Sequence, residues 1–244
     1  MIYNASEYNF KAPEILSRAR RVLIKPCARY PVQYPVSTSR ELIQKIISGI
    51  RRISDADIII LEGAPGGAPV KSIYKALSYD FQRVVLLDVN DCTWVEVDNP
   101  LNKPLVVPTF WVPNVILSSD FLISVTPLQI INGKGNFSIS NLLPVLPSSK
   151  YGSGKTGWDS LYSQGIEKVL SDLYFTLPFD MGIIEATQKF TSHGDPTKGE
   201  IEHLGKIFAG EPYEVDTEVS RTLNIKTDYL ELIKTSSVEL ERWT

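Results

Sequence analysis

The sequence predicts an α/β fold: an open, mostly parallel sheet with helices on both faces and an antiparallel insertion around residues 92–117. Three observations predict it. Short β-branched runs alternate with amphipathic helical stretches, first at 21–25, then 37–53, then 57–61. Glycine and proline separate the elements, most densely in Glu62-Gly-Ala-Pro-Gly-Gly-Ala-Pro69. With 244 residues, 43% of them apolar, the chain can bury a sizeable core, and a single domain over 1–244 is expected.

In order, Arg21-Val-Leu-Ile-Lys25 reads as a buried strand stopped by Pro26. Residues 37–53 read as a helix, because Thr38 and Glu41 have capping-box spacing and Leu42, Ile43, Ile46, Ile47 and Ile50 share one face. Asp57-Ile-Ile-Ile-Leu61 is the next strand, Val70 to Ser78 a short helix, and Val84-Val-Leu-Leu87 a strand ending at Asp88. From 92 the rhythm changes. Thr93-Trp-Val-Glu-Val97 alternates and prolines 100, 104, 108 and 113 follow, which reads as a hairpin at a sheet edge. The α/β order resumes with Phe121-Leu-Ile-Ser-Val125, a helix at 157–175 and the strand Met181-Gly-Ile-Ile184. Residues 186–200 read as a loop. A strand near Lys206–Ala209, a helix across Tyr213–Leu223 and a helical turn at 228–234 close the chain.

Composition narrows the function classes. A net charge of -3 and a pI near 5.5 provide no basic field, so no nucleic-acid partner is expected. Arg18, Arg20, Arg21, Arg51 and Arg52 end predicted helices, where cations favour the helix dipole. Two cysteines, Cys27 and Cys92, cannot make a disulfide framework, a four-cysteine zinc site or an iron–sulfur cluster. They read as buried hydrophobes in a reducing compartment. No charged-then-apolar leader is visible, and the longest apolar stretch, 105–117, is cut by Pro108 and Pro113. A cytoplasmic protein without a membrane partner is expected. The oligomeric state is open.

Ligands of open α/β sheets bind beyond the carboxyl ends of the strands. Here that rim collects Lys25, Glu62, Gly63, Asp88, Thr126, Gln129, Glu185 and Glu211. One lysine among several carboxylates could hold a divalent ion, of unknown identity, beside a small anionic substrate. The ordinary alternative is that polar residues end strands because loops face water. Lys25-Pro-Cys-Ala-Arg-Tyr-Pro31 must turn sharply and would offer Lys25 and Arg29 to a carboxylate or phosphate, unless Lys25 pairs with Glu62 or Glu185.

Two further motifs carry less. Gly152-Ser-Gly-Lys-Thr156 lacks the glycine five positions before Gly154, where Ser149 stands, so a phosphate loop is not expected. His193 and His203 are too few for a histidine-rich metal site, and a solvent-facing histidine is the common case for His193.

Several segments in order resemble the family catalogued as domain of unknown function 362. They are Val22-Leu-Ile-Lys-Pro26, Tyr34-Pro-Val-Ser-Thr38, Ser119–Pro127, Phe137–Leu143, Gly182-Ile-Ile-Glu185, His193–Gly199 and Ala209-Gly-Glu-Pro-Tyr-Glu-Val-Asp216. The sequence departs from the family at Cys27 (usually asparagine), at Gln129-Ile-Ile131 (where a lysine and histidine stand), at Ser140 (lysine) and at Pro144 (glycine). A fainter similarity runs to the nickel-pincer lactate racemases, through Arg29-Tyr-Pro31. Their catalytic histidines and cofactor-bearing lysine have no counterpart at Thr126–Pro144, so a racemase is not implied.

Two functions follow. One is an enzyme or binder of a small anionic metabolite, with Lys25, Glu62, Glu185 and Asp216 as catalytic candidates and Lys25, Arg29, Thr38, Gly63, Gln129 and Asn141 holding the substrate. The other is a non-catalytic binding or regulatory homologue that has lost the family's lysine and histidine.

Overall fold

The β-branched runs line up as the parallel middle of an eight-stranded sheet. The computed structural model describes residues 1–152, 154, 157–177 and 179–241. The strands are β1 (Ile2–Asn4), β2 (Arg21–Lys25), β3 (Asp57–Glu62), β4 (Val84–Asp88), β7 (Phe121–Ile131), β8 (Lys134–Asn136), β9 (Met181–Ser192) and β10 (Glu200–Gly210). Their order is β1-β10-β9-β7-β2-β3-β4, with β8 paired to β7. β4, β3, β2, β7 and β9 run parallel, and β10 and β1 continue the sheet antiparallel. β5 (Trp94–Asp98) and β6 (Thr109–Pro113) form the expected antiparallel insertion, but as a separate two-stranded sheet rather than an addition to the main sheet's edge.

Alternation along the strands divides the core. Val22, Ile24, Ile58, Ile60, Ile123 and Val125 face α1 (Arg40–Arg51) and α2 (Val70–Ala76). Leu23, Leu61 and Leu122 face the other way, toward Phe110 and Val112 of the hairpin and toward α5 (Ile166–Thr176) and α7 (Asp228–Glu241). α6 (Pro212–Leu223) covers Ile184 and Phe208 through Val215 and Val219. On α1 the predicted stripe is buried, each such side chain contributing roughly 1.5–3 kcal/mol.

This order creates a switch point. After β2 the chain builds outward through β3 and β4, then returns to lay β7 and β9 on the other side of β2. Helices α1 and α5 therefore cover opposite faces, and a crevice opens beyond the carboxyl ends of β2 and β7.

Three expectations are corrected. Residues 186–200 are not a loop: β9 runs to Ser192 and pairs with β10 from Glu200, leaving only 193–199 as the turn. Thr187, Gln188 and Lys189 are polar and half-buried, so no apolar alternation marks the outer part of β9 in the sequence. The helix expected at 157–175 is two, α4 (Asp159–Ser163) and α5, broken at Gly165, whose φ of 92° suits glycine. Helix α1 is capped by Ser39, not Thr38: the Ser39 hydroxyl accepts from the Leu42 amide, whereas Thr38 Oγ1 donates to the Val125 carbonyl and accepts from the Cys27 amide. No helix among the described residues is long and apolar enough to cross a membrane.

Candidate functional site

β2 and β3 end side by side on Lys25 and Glu62, and the two side chains form an ion pair of 2.8 Å with no exposed surface. Burial lowers the Lys25 pKa and the Glu62 charge opposes that shift. An ammonium has three donors, and here Glu62 Oε1, the Pro26 carbonyl (2.7 Å) and Asn141 Oδ1 (3.1 Å) take them. Glu62 also accepts from the amides of Gly63 (3.0 Å) and Ala28 (2.6 Å). Asn141 donates to the Lys25 carbonyl and to Ser124 Oγ. The cluster ties three chain segments together, and none of these groups is left to receive a ligand. Gly63 has no free amide either, and its packing is tight: a Cβ there would lie 2.3 Å from the Pro144 carbonyl oxygen. Gly63→Ala should therefore lower the denaturation midpoint by the equivalent of about 1–3 kcal/mol. An unchanged midpoint would mean the loop yields freely.

The other two carboxylates lie elsewhere. Asp216, on α6, accepts from Ser138 Oγ (2.6 Å), the Ser138 and Ile139 amides (both 2.9 Å) and Tyr229 Oη (2.8 Å). Burial pushes its pKa up to about 6 against those donors. Glu185, on β9, meets the start of α1, where Oε2 accepts from the Ser39 amide (3.0 Å) and Oε1 from Ser39 Oγ (2.5 Å). Burial lifts it to about 7, with the Ser39 bonds opposing, Glu41 adding to the rise and Lys45 resisting it. It lines a hollow of about 610 Å³ with Tyr34, Glu41, Lys45 and His203, away from Lys25 and Asp216. The expected single rim is thus divided: Lys25, Glu62 and Asn141 connect through Ser124 and Ser138 to Asp216, while Glu185 faces separate surroundings.

The crevice at the switch point is a cleft of about 490 Å³. Arg29 and Tyr30 reach it from the turn after β2, Pro65 from the glycine-rich loop, and Gln129 and Ile131 from β7. Leu143, Trp158, Tyr162, Ile166, Leu170 and Tyr229 complete much of the wall. Arg29 is the candidate that stays chemically open. Among the described residues its Nε is buried without a hydrogen-bond partner, and Nη2 makes a long contact (3.7 Å) to Cys27 Sγ. Among the described residues it forms no ion pair, although Glu62 is near enough to attract it. Gln129 is in the wall but committed, donating to the Pro35 and Val36 carbonyls and accepting from Asn136 Nδ2.

Other expectations find their places. Asp88 accepts from the Val70 and Asn90 amides, and Glu211 caps α6 through the Glu214 amide. His193 and His203 are exposed. Among the described residues no three His, Cys, Asp or Glu side chains gather as a metal-ligating set. Ser153, Lys155 and Thr156 of the glycine-containing segment lie outside the described residues. A shallower depression of about 700 Å³ at the opposite strand ends mixes Arg20, Arg51 and Arg52 with Asp55 and Asp57.

Sequence reasoning missed Asp172. This buried carboxylate on α5 accepts from three successive amides, Leu105, Val106 and Val107, at 2.8–2.9 Å, and so holds the strand-rich insertion to the domain's helical layer. A lone aspartate in Val169-Leu-Ser-Asp-Leu-Tyr-Phe175 is the one signal the sequence offers; its partners, some 65 residues earlier, are set by the fold.

The model of the family described as domain of unknown function (DUF362) matches residues 22–221. The chain belongs to this family. No curated protein matches. Among solved structures, the lactate racemase apoprotein from Thermoanaerobacterium thermosaccharolyticum is similar over 88% of this chain and 52% of its own, with a TM-score of 0.53 and 15% identity. The chain thus spans about half the length of that protein, and the likeness is one of fold. Segment Thr126–Pro144 holds no histidine, and its one lysine, Lys134, is exposed and paired with Glu167 at 2.7 Å.

Proposed function

We propose that this chain binds a small anionic metabolite in the cleft beyond β2 and β7, with Arg29 as its anchor. The observation that carries the reading is a guanidinium lining a cleft, its Nε buried without a partner and its charge without an ion pair among the described residues. A partly buried cation is costly unless an anion meets it, and the arginine fork matches a carboxylate or a phosphate. The switch-point position supports the same place. Between the two functions the sequence left open, this supports the binding module. Lys25, Glu62 and Asp216, the expected proton carriers, have their hydrogen-bonding capacity taken up by the fold. Glu185, whose pKa lies nearest neutrality, lines a different hollow.

A thermal-shift screen of carboxylates and phosphates tests it. A ligand at a hundredfold excess over its dissociation constant adds about 2.7 kcal/mol of stability. Arg29→Gln should weaken that ligand about ten- to a hundredfold, the range expected for a charge-assisted bond. Lys25→Met should not weaken it after correction for its own lost stability. If no anion of either class shifts the melting curve, the proposal fails.

A further inference from the structure

Among the described residues the cleft has one charge without an ion pair, and its walls are mostly apolar, which together restrict what fits. Besides Arg29, its charged lining among the described residues is Lys134 and Glu167, and these two are paired at 2.7 Å. One positive charge is left to answer a ligand. Around it stand Ile131, Leu143, Trp158, Ile166 and Leu170, and Tyr30 and Tyr162 flank the arginine end. Glu167 accepts from Lys134 and from the Tyr229 amide, so its oxygens are already engaged on the wall.

Resting on the reading above, we infer that the ligand is a monocarboxylate with an apolar body: its head on Arg29, its hydrocarbon or aryl portion along the Ile131–Leu143–Ile166–Leu170 wall. A carboxylate carries one charge, and the guanidinium fork meets both its oxygens. A dianionic phosphate would bring a second charge with no unpaired cation among the described residues of the lining to balance it, against apolar side chains, where an unpaired charge is costly. Nor does a short polar acid fit the surroundings. A cleft of about 490 Å³ is within the range that encloses ligands well beyond the size of acetate. Filling it with a small anion would leave the apolar wall wet, whereas an apolar body removes that wall from water.

The experiment is a calorimetric or thermal-shift series on the full chain with acetate, butanoate, hexanoate, octanoate and inorganic phosphate, with octanol as the uncharged control. Affinity should rise about fourfold per added methylene, the increment for a buried CH₂. Octanoate should bind best, while phosphate and octanol should bind far more weakly. Arg29→Gln should weaken octanoate at least tenfold, and Arg29→Lys, which keeps the charge without the fork, should weaken it less. Ile131→Thr preserves β-branching on β7 and should weaken octanoate several-fold while leaving acetate unchanged.

Three results would overturn the inference. Phosphate or acetate binding through Arg29 as tightly as octanoate would reject the apolar body while leaving the anion-binding reading intact. Octanol matching octanoate, with Arg29→Gln silent, would reject the carboxylate head. No binding by any member of the series or by any anion in the wider screen would remove both readings together.

Discussion

Lys25→Met should destabilise the protein by about 3–5 kcal/mol, with no ligand present and at any neutral pH. The substitution leaves Glu62 fully buried without its cation, and strands the Pro26 carbonyl and Asn141 Oδ1 that shared the ammonium. Glu62 would retain the Ala28 and Gly63 amides, which soften the loss without replacing a charge. The double variant Lys25→Met, Glu62→Gln should be less damaged than the two single losses summed, because no unpaired charge remains. Denaturant midpoints for the four proteins give the coupling energy, expected to exceed about 1 kcal/mol for groups in direct contact. A Lys25→Met protein as stable as the parent, or a coupling near zero, would return Lys25 to the pool of ligand-binding residues.

That result bears on how much of the site the sequence could reveal. Lys25 and Arg29 are four residues apart on one sharp turn, and by sequence alone either can be offered to a ligand or paired with a carboxylate. The structure separates them through burial and partners, which no local pattern encodes. Lys25 ends its strand beside Glu62 and is absorbed, while Arg29 projects past the turn into the cleft. The alternative pairing with Glu185 was equally open in the sequence, and strand order decides against it. β3 neighbours β2 directly, whereas β9 is separated from β2 by β7.

The fold was more legible than the site, for a related reason. Elements with one buried face print their period on the chain, as α1 does with Leu42, Ile43, Ile46, Ile47 and Ile50, and fully buried parallel strands appear as apolar runs such as Ile58-Ile-Ile-Leu61. The outer half of β9 has neither signature. Gln188 and Lys189 register against His203 and Glu202 of β10, and Lys189 also against Leu128 of β7, and backbone pairing of this kind is indifferent to side-chain type. Thr38 shows the limit at the level of one hydroxyl. The capping spacing was sound, but Val125 and Cys27 claimed that oxygen and the role passed to Ser39.

Glu185 supplies the second large effect, and its sign is opposite to that of an ordinary surface carboxylate. Its pKa is about 7 in the folded protein against an ordinary value of 4.5, so between those limits the folded chain keeps a proton that the unfolded chain has released. Stability from this group is therefore full below pH 4.5 and is lost as pH rises to 7, by about 3 kcal/mol in all. Asp216, lifted from 3.8 to about 6, contributes in the same direction over a lower window. Glu185→Gln isolates the first effect, because glutamine resembles the protonated acid and does not titrate. The stability of the parent minus that of the variant should fall by about 3 kcal/mol between pH 4.5 and 7.5, then level off. The groups able to oppose this are the Ser39 amide and hydroxyl at the amino end of α1, and Lys45 across the hollow, all of which favour the ionised form. If they outweigh burial, the difference will stay flat or rise with pH, and Glu185 will have to be read as a permanently charged cap of α1. If burial prevails, the neutral carboxyl holds this helix terminus most firmly in acid, and the joint between β9 and α1 loosens as the pH passes neutrality.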